Sequence, residues 1–70
     1  MYHHLPHFHA YYQGMAVSFR IDQLIPIDGE LPKRQQRLVE AWAELHQQEL
    51  NKNWQLLING DAPRKIKPLR

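Results

Sequence analysis

Seventy residues, a formal net charge of +2 and no cysteine allow one domain and exclude a disulfide scaffold. No apolar run approaches the ~18 residues of a membrane span, and Met1-Tyr2-His3-His4 lacks the basic and apolar regions of a signal peptide, so a cytoplasmic protein is expected. A chain this short buries only about 60% of the surface its unfolded form exposes, so oligomerisation or a bound metal is expected to add stability.

The pattern predicts an α+β fold over residues 1–70: a β-sheet part at 1–27 built on an N-terminal hairpin, a helical part of two helices at 32–60, and an extended basic tail at 61–70. Residues 7–21 carry the hairpin. Phe8, Ala10 and Tyr12 alternate with His7, His9 and Tyr11, the period of a half-buried strand. Gln13-Gly14 supplies a two-residue turn. Met15, Val17, Phe19 and Ile21 then alternate with Ala16, Ser18 and Arg20. This register opposes Tyr12 to Met15, Ala10 to Val17 and Phe8 to Phe19. It puts Phe8, Ala10, Tyr12, Met15, Val17 and Phe19 on the core face, and His7, His9, Tyr11, Ser18 and Arg20 on the other. A slip of one residue would exchange the two faces.

Leu24, Ile25 and Ile27 suggest a short third strand, which Pro26 confines to a sheet edge. Asp28-Gly29-Glu30 reads as a turn, and Pro32 suits the first position of a helix. From Lys33 the period becomes helical. Leu38, Trp42 and Leu45 fall at i, i+4 and i+7, with Val39 and Ala41 alongside, and Leu50, Trp54 and Leu57 repeat that spacing. At ~100° per residue the two stripes differ by roughly 120°, so two helices, or one sharply bent helix, are expected with the change near Gln48–Asn51. Asn59-Gly60 is a helix C-terminus. The tail is expected to be extended, laying Ile66 and Leu69 on the core.

Four histidines fall in the first nine residues. His7 and His9 share a strand face about 6.5–7 Å apart along the chain. Two imidazoles so placed can bind one metal or act as a proton-transfer pair. Zinc takes four ligands in structural sites and three plus water in catalytic ones. His3, His4, His46, Asp22, or the same residues of a second subunit are candidates to complete the set. The plainer alternative is that His7 and His9 are polar residues of a solvated face, hydrogen-bonded or packed under a neighbour. Separately, the free amine of Met1 with His3 at the third position can hold square-planar Cu(II) or Ni(II); any such terminus can do this.

A catalytic reading makes His7 and His9 acid and base, with Arg20, opposite His7, neutralising a phosphate. Against it, the chain has no serine–histidine–acid arrangement and no phosphate-cradling glycine loop. Trp42 and Trp54, set among leucines, read as core or interface anchors rather than stacking platforms. Lys33, Arg34 and Arg37 form one basic cluster, at a helix N-terminus where they oppose the macrodipole. Arg64, Lys65, Lys67 and Arg70 form a second, with Glu40, Glu44 and Glu49 between the two. The tail cluster is a candidate for weak DNA-backbone contact, although a solvated tail explains it as well, and the asymmetry falls short of a committed nucleic-acid binder.

Pro6-His7-Phe8-His9-Ala10, Gly29-Glu30-Leu31-Pro32-Lys33-Arg34, Leu38 to His46, Glu49-Leu50, Asn53-Trp54, Asn59-Gly60 and Lys65 to Leu69, in that order and spacing, resemble the small prokaryotic family catalogued as domain of unknown function 4160. The resemblance covers almost the whole chain. It implies a small α+β protein often encoded beside an antitoxin-like or regulator-like partner, hence an interaction component of a two-gene, toxin–antitoxin-like module. It implies no established reaction. His7 and His9 match the family's histidine motif. Members of that family begin with a further strand ahead of the segment matched by Met1-Tyr2, most of which this chain lacks. A sheet edge left open in this way invites pairing with another chain, and a homo-oligomer is expected.

Overall fold

The computed structural model describes residues 5–68. Its hairpin is set by the turn: Gln13 and Gly14 both take positive φ, 47° and 81°, the mirror-image two-residue turn whose twist matches that of the flanking strands. Strands β1 (His7–Tyr12) and β2 (Met15–Arg20) pair antiparallel in the expected register, with Tyr12 opposite Met15, Phe8 opposite Phe19, His9 opposite Ser18 and His7 opposite Arg20. Strand β3 (Pro26–Gly29) pairs with the other side of β2 through a register shift between Ser18 and Phe19. The sheet order is β1-β2-β3, so β3 is an edge strand, as Pro26 requires.

The expected turn at Asp28-Gly29-Glu30 is not where the chain turns. Asp28 and Gly29 lie within β3, opposite Ser18 and Val17. The sharp turn comes earlier, where Leu24 takes a left-handed φ of 56° and its amide bonds back to the Arg20 carbonyl at 3.0 Å. Gly29 has φ 76°, and a Cβ there would run into the backbone carbonyl of Ala16. Glycine is therefore required at this position by both conformation and space.

Helix α1 (Lys33–Leu45) begins one residue after Pro32, which stands at the cap position rather than the first helical one and makes no side-chain capping bond, and α2 (Gln47–Ile58) follows at once. The break lies at His46 rather than at Gln48–Asn51. His46 departs from helical geometry (φ −114°, ψ 21°), ending α1 and starting α2. Tertiary bonds fix it there: the Gln47 amide nitrogen donates to the Ile21 and Asp22 carbonyls at 2.7 and 2.9 Å, and His46 Nδ1 donates to Glu49 Oε1 at 2.6 Å. Glu49 occupies the third position of α2, so this bond ties two side chains across its first turn.

The core has two clusters. Val17, Phe19, Leu31 and Val39 form one, with Phe8, Ala10 and Tyr12 against it. Ile21, Ala43 and Leu50 form the other, packed by Phe8, Leu24, Trp42, Trp54 and Ile66. Phe8 joins them, stacking on Phe19 at 5.5 Å and meeting Trp42 at 6.1 Å. The face of α1 that is buried is Val39 and Ala43, with Leu38 48% and Leu45 83% exposed, one step round from the expected leucine stripe. Met15, placed on the core face by the register, is 37% exposed at the end of the hairpin.

The tail from Asp61 runs without regular structure yet is tied down. Asn53 brackets the Arg64 backbone, its Nδ2 donating to the carbonyl and its Oδ1 accepting from the amide, both at 2.8 Å. Trp42 Nε1 donates to the Lys67 carbonyl at 2.8 Å, and Ile66 packs on the Ile21 cluster. This is a strap across both helices rather than a solvated tail. Leu69 lies outside the described residues.

Candidate functional site at the outer strand

Antiparallel pairing alternates which backbone groups face the neighbouring strand. The pair Tyr12–Met15 closes the two-residue turn, and the Pro6 carbonyl accepts from the Ile21 amide at 3.0 Å. The even-numbered residues of β1 therefore point their N–H and C=O at β2. His7, His9 and Tyr11 point theirs to the outer edge, where no further strand lies among the described residues. Those three residues thus turn their backbone outward, while the His7 ring folds back onto Trp54 of the helical layer.

The two histidines are held individually. His7 is half-buried, and its Nδ1 lies 2.7 Å from the Leu5 carbonyl. A carbonyl can only accept, so Nδ1 is the donor in this bond. Its ring lies 5.0 Å from that of Trp54. His9 is exposed, with Nδ1 2.9 Å from the hydroxyl of Ser18, which is buried. The His7 and His9 rings meet edge-on, 5.2 Å between centres at an interplanar angle of 89°. Tyr11, 76% exposed, stacks beyond His9 at 6.4 Å.

Beside this edge a cavity of about 380 Å³ opens next to His7 and His9, walled by Ile21, Leu50, Trp54 and Leu57. A second, about 330 Å³, continues along Ala10 and Tyr11 against Val39 and Trp42. Phe8, His9 and Leu50 line both. The outer edge of β1 is thus flanked by a mainly apolar groove.

Arg20 is brought opposite His7 as the register predicted, but its guanidinium is occupied. Nε and Nη2 donate to the two oxygens of Asp22 at 2.9 and 2.7 Å, a bidentate pair. Hydrogen bonding from Arg20 holds the Asp22 carboxyl below its ordinary range, and the same bond raises Arg20. Asp22, a candidate metal ligand, is consumed by the same pair. His46 is committed to Glu49 at the helix junction and leans on Trp42 at 5.2 Å. Among the described residues no three histidine or acidic side chains converge as a ligand set. His3, His4 and the Met1-Tyr2-His3 terminus lie outside the described residues, as does Arg70.

Arg64, Lys65 and Lys67 are exposed along the strap. Arg64 and Lys65 border a cavity of about 190 Å³ with Glu49 and Lys52, so the basic row is interrupted by an acid. The site residues not anticipated are Trp54, against His7, and Asn53, which grips the strap. Ser18 was placed on the histidine face by register, and its hydroxyl partner follows from that placement.

The family profile of the domain of unknown function DUF4160 matches residues 1–55, which include His7, His9 and both helix-packing tryptophans. The chain belongs to the DUF4160 family. Neither the curated proteins nor the solved structures contain a match to it. No helix among the described residues is long and apolar enough to cross a membrane.

Proposed function

We propose that this DUF4160 protein is a cytoplasmic interaction component of a toxin–antitoxin-like two-gene module, and that it associates by adding a strand at the outer edge of β1. The observation that supports this most directly is that edge itself: six residues in regular register, outward-turned backbone at His9 and Tyr11, and an apolar groove beside it. Strand addition uses these features, main-chain bonds for affinity and flanking pockets for alternate side chains. A second copy is the simplest occupant and makes the protein a homo-oligomer. The antitoxin-like partner follows from the family resemblance, and its test is co-purification with the product of the adjacent gene. Size-exclusion chromatography with light scattering at tens of micromolar should return a dimer or larger species. A clean monomer that also fails to retain the adjacent gene product overturns the reading.

A second reading, a histidine-based or metal-dependent nuclease or hydrolase, is favoured by the edge-on His7–His9 pair with His7 Nδ1 anchored on the Leu5 carbonyl. It requires Arg20 to leave Asp22 before it can meet a phosphate. Equal phosphodiesterase activity in wild type and a His7→Ala/His9→Ala double variant discards it. A DNA-binding role draws on the ordered strap that presents Arg64, Lys65 and Lys67. Phosphate contacts of that kind weaken steeply with salt, and binding that is insensitive to salt would argue against them.

A further inference from the structure

The helical layer carries a surface that strand addition at β1 does not use. Val39 and Ala43 turn α1 to the core. At ~100° per residue, Arg34, Leu38, Ala41 and Leu45 fall within roughly 60° of one another on the far side. All four are exposed, Leu45 at 83%. Their spacing is that of a helix–helix seam. On the side of the strap, a cavity of about 460 Å³ runs along this stripe, walled by Leu38, Trp42, Leu45 and Pro68.

The charges of α1 run against its own dipole. A helix favours acids near its N-terminus and bases near its C-terminus. α1 has no acid in its first turn and no base in its last. Lys33, Arg34 and Arg37 occupy its first half, Glu40 and Glu44 its second. Among the described residues the ion pairs are Arg20–Asp22 and His46–Glu49, so Arg37 and Glu44 meet no opposite charge within the chain.

Such a helix complements a copy of itself laid antiparallel. Each basic half then meets an acidic half, and the two dipoles oppose. With Leu38 and Leu45 at a positions and Ala41 at d, Arg37 and Glu44 both fall at g, beside the seam where interhelical ion pairs form. A two-fold axis that layers Leu38 on the second copy's Ala41 brings Arg37 to the second copy's Glu44, and Glu44 to the second copy's Arg37. Arg34 lays its methylene stem on the second copy's Leu45.

We infer that two copies associate through antiparallel α1 helices, with Leu38, Ala41 and Leu45 as the seam and two Arg37–Glu44 pairs setting its register. This contact uses no residue of β1 and stands or falls apart from the edge pairing. A 13-residue helix makes a small seam, and small interfaces are weak. The contact therefore forms at millimolar rather than micromolar concentration, where it joins edge-paired dimers into larger species.

The test is light scattering of Tyr11→Pro, whose β1 edge lacks a donor, from micromolar to millimolar concentration. The expected result is a monomer that becomes a dimer. In that background Arg37→Glu or Glu44→Arg opposes like charges twice per dimer and should weaken association about tenfold. Each reversal suits the dipole of α1, so circular dichroism should show the helix retained. The double reversal restores opposite charges and should return association to within about twofold of Tyr11→Pro alone. Leu45→Ser should abolish it. Should Tyr11→Pro not fold, the same series is read in wild type, as a rise in mass above that at tens of micromolar.

A mass that does not rise up to millimolar concentration leaves the stripe to another occupant and overturns the inference. Single reversals that associate undiminished, or a double reversal no better than either single one, overturn it as well. Equal masses of wild type and Tyr11→Pro at tens of micromolar count against the edge pairing alone.

Discussion

The two edges of the sheet differ. The β3 edge has four residues, begins with a proline, ends with a positive-φ glycine and meets β2 through a register shift. Each feature discourages another strand from pairing there. The β1 edge has six residues in unbroken register; its proline, Pro6, stands before the strand with its carbonyl turned to β2. None of the devices at β3 is repeated at β1. Among the described residues, the contrast favours β1 over β3 as the edge for the strand pairing proposed above. The histidines, the exposed Tyr11 and the apolar groove all lie on the regular side.

The contrast can be broken most severely at Gly29. Its positive φ costs a non-glycine residue about 1–3 kcal/mol, and a Cβ would also collide with the Ala16 carbonyl. Gly29→Ala should detach β3 and lower stability by more than the conformational cost alone, read as a fall in urea midpoint. In a small domain of marginal stability the protein is expected to be largely unfolded at 25 °C. Gly14→Ala is the control: its φ is similarly positive but the space around it is open, so the loss should be confined to the 1–3 kcal/mol range. Equal losses at the two positions would show that the close approach to Ala16 does not matter.

The opposite edge is addressed by Tyr11→Pro. The Tyr11 amide points away from β2, so removing it leaves the β1–β2 ladder whole while deleting an edge donor. The expected outcome is an unchanged circular dichroism spectrum and loss of the oligomer by light scattering. An oligomer that survives Tyr11→Pro with the fold intact would place the contact elsewhere, with the exposed Leu38 and Leu45 of α1 next to be tested.

Why one edge could be anticipated and other features not is a question of range. The β1–β2 register was legible because strand alternation and a two-residue turn are both local, and together they fixed which side chains share a face, including His7, His9, Ser18 and Arg20. Pro26 likewise announced an edge strand through its missing donor. Leu38 and Val39 are adjacent and both apolar, so periodicity alone could not say which would be buried. The packing of α1 on Phe19 and Leu31 decided for Val39. The helix break was misplaced because it depends on bonds from Gln47 to a loop some 25 residues earlier in the chain. Trp54 reaches His7 across a longer separation still. The Arg20–Asp22 pair was missed although the two residues are only two apart. The guanidinium fork facing a nearby carboxylate was a local signal.

Gln47 provides the next smaller effect. It satisfies two carbonyls of the segment leading into β3, and removing a partner from such groups costs about 1–3 kcal/mol. Gln47→Ala should reduce stability within that range and speed amide exchange in the β2–β3 connection and β3, without altering β1. Faster exchange in β1 to the same degree would mean that the two edges are not held independently.

The smallest effect is expected at Asp22. Its carboxyl is held below the ordinary aspartate value of about 3.9, first by the hydrogen bond from Arg20 and then by that cation's charge. A carboxyl with a lowered folded-state pKa stabilises the fold at pH values above its unfolded value, and that contribution disappears as pH falls through the folded value. Asp22→Asn should therefore be slightly less stable than wild type at pH 7, with the difference shrinking towards zero in acid. The pair is solvent-exposed, so added salt should shrink it as well. Urea titrations of both proteins across pH 7 to pH 2 measure this, and a difference that grows in acid contradicts it. The same variant releases Arg20 beside His7 without disturbing either histidine. Phosphate should then protect the variant from urea more than it protects wild type, because only in the variant is the guanidinium available to an anion.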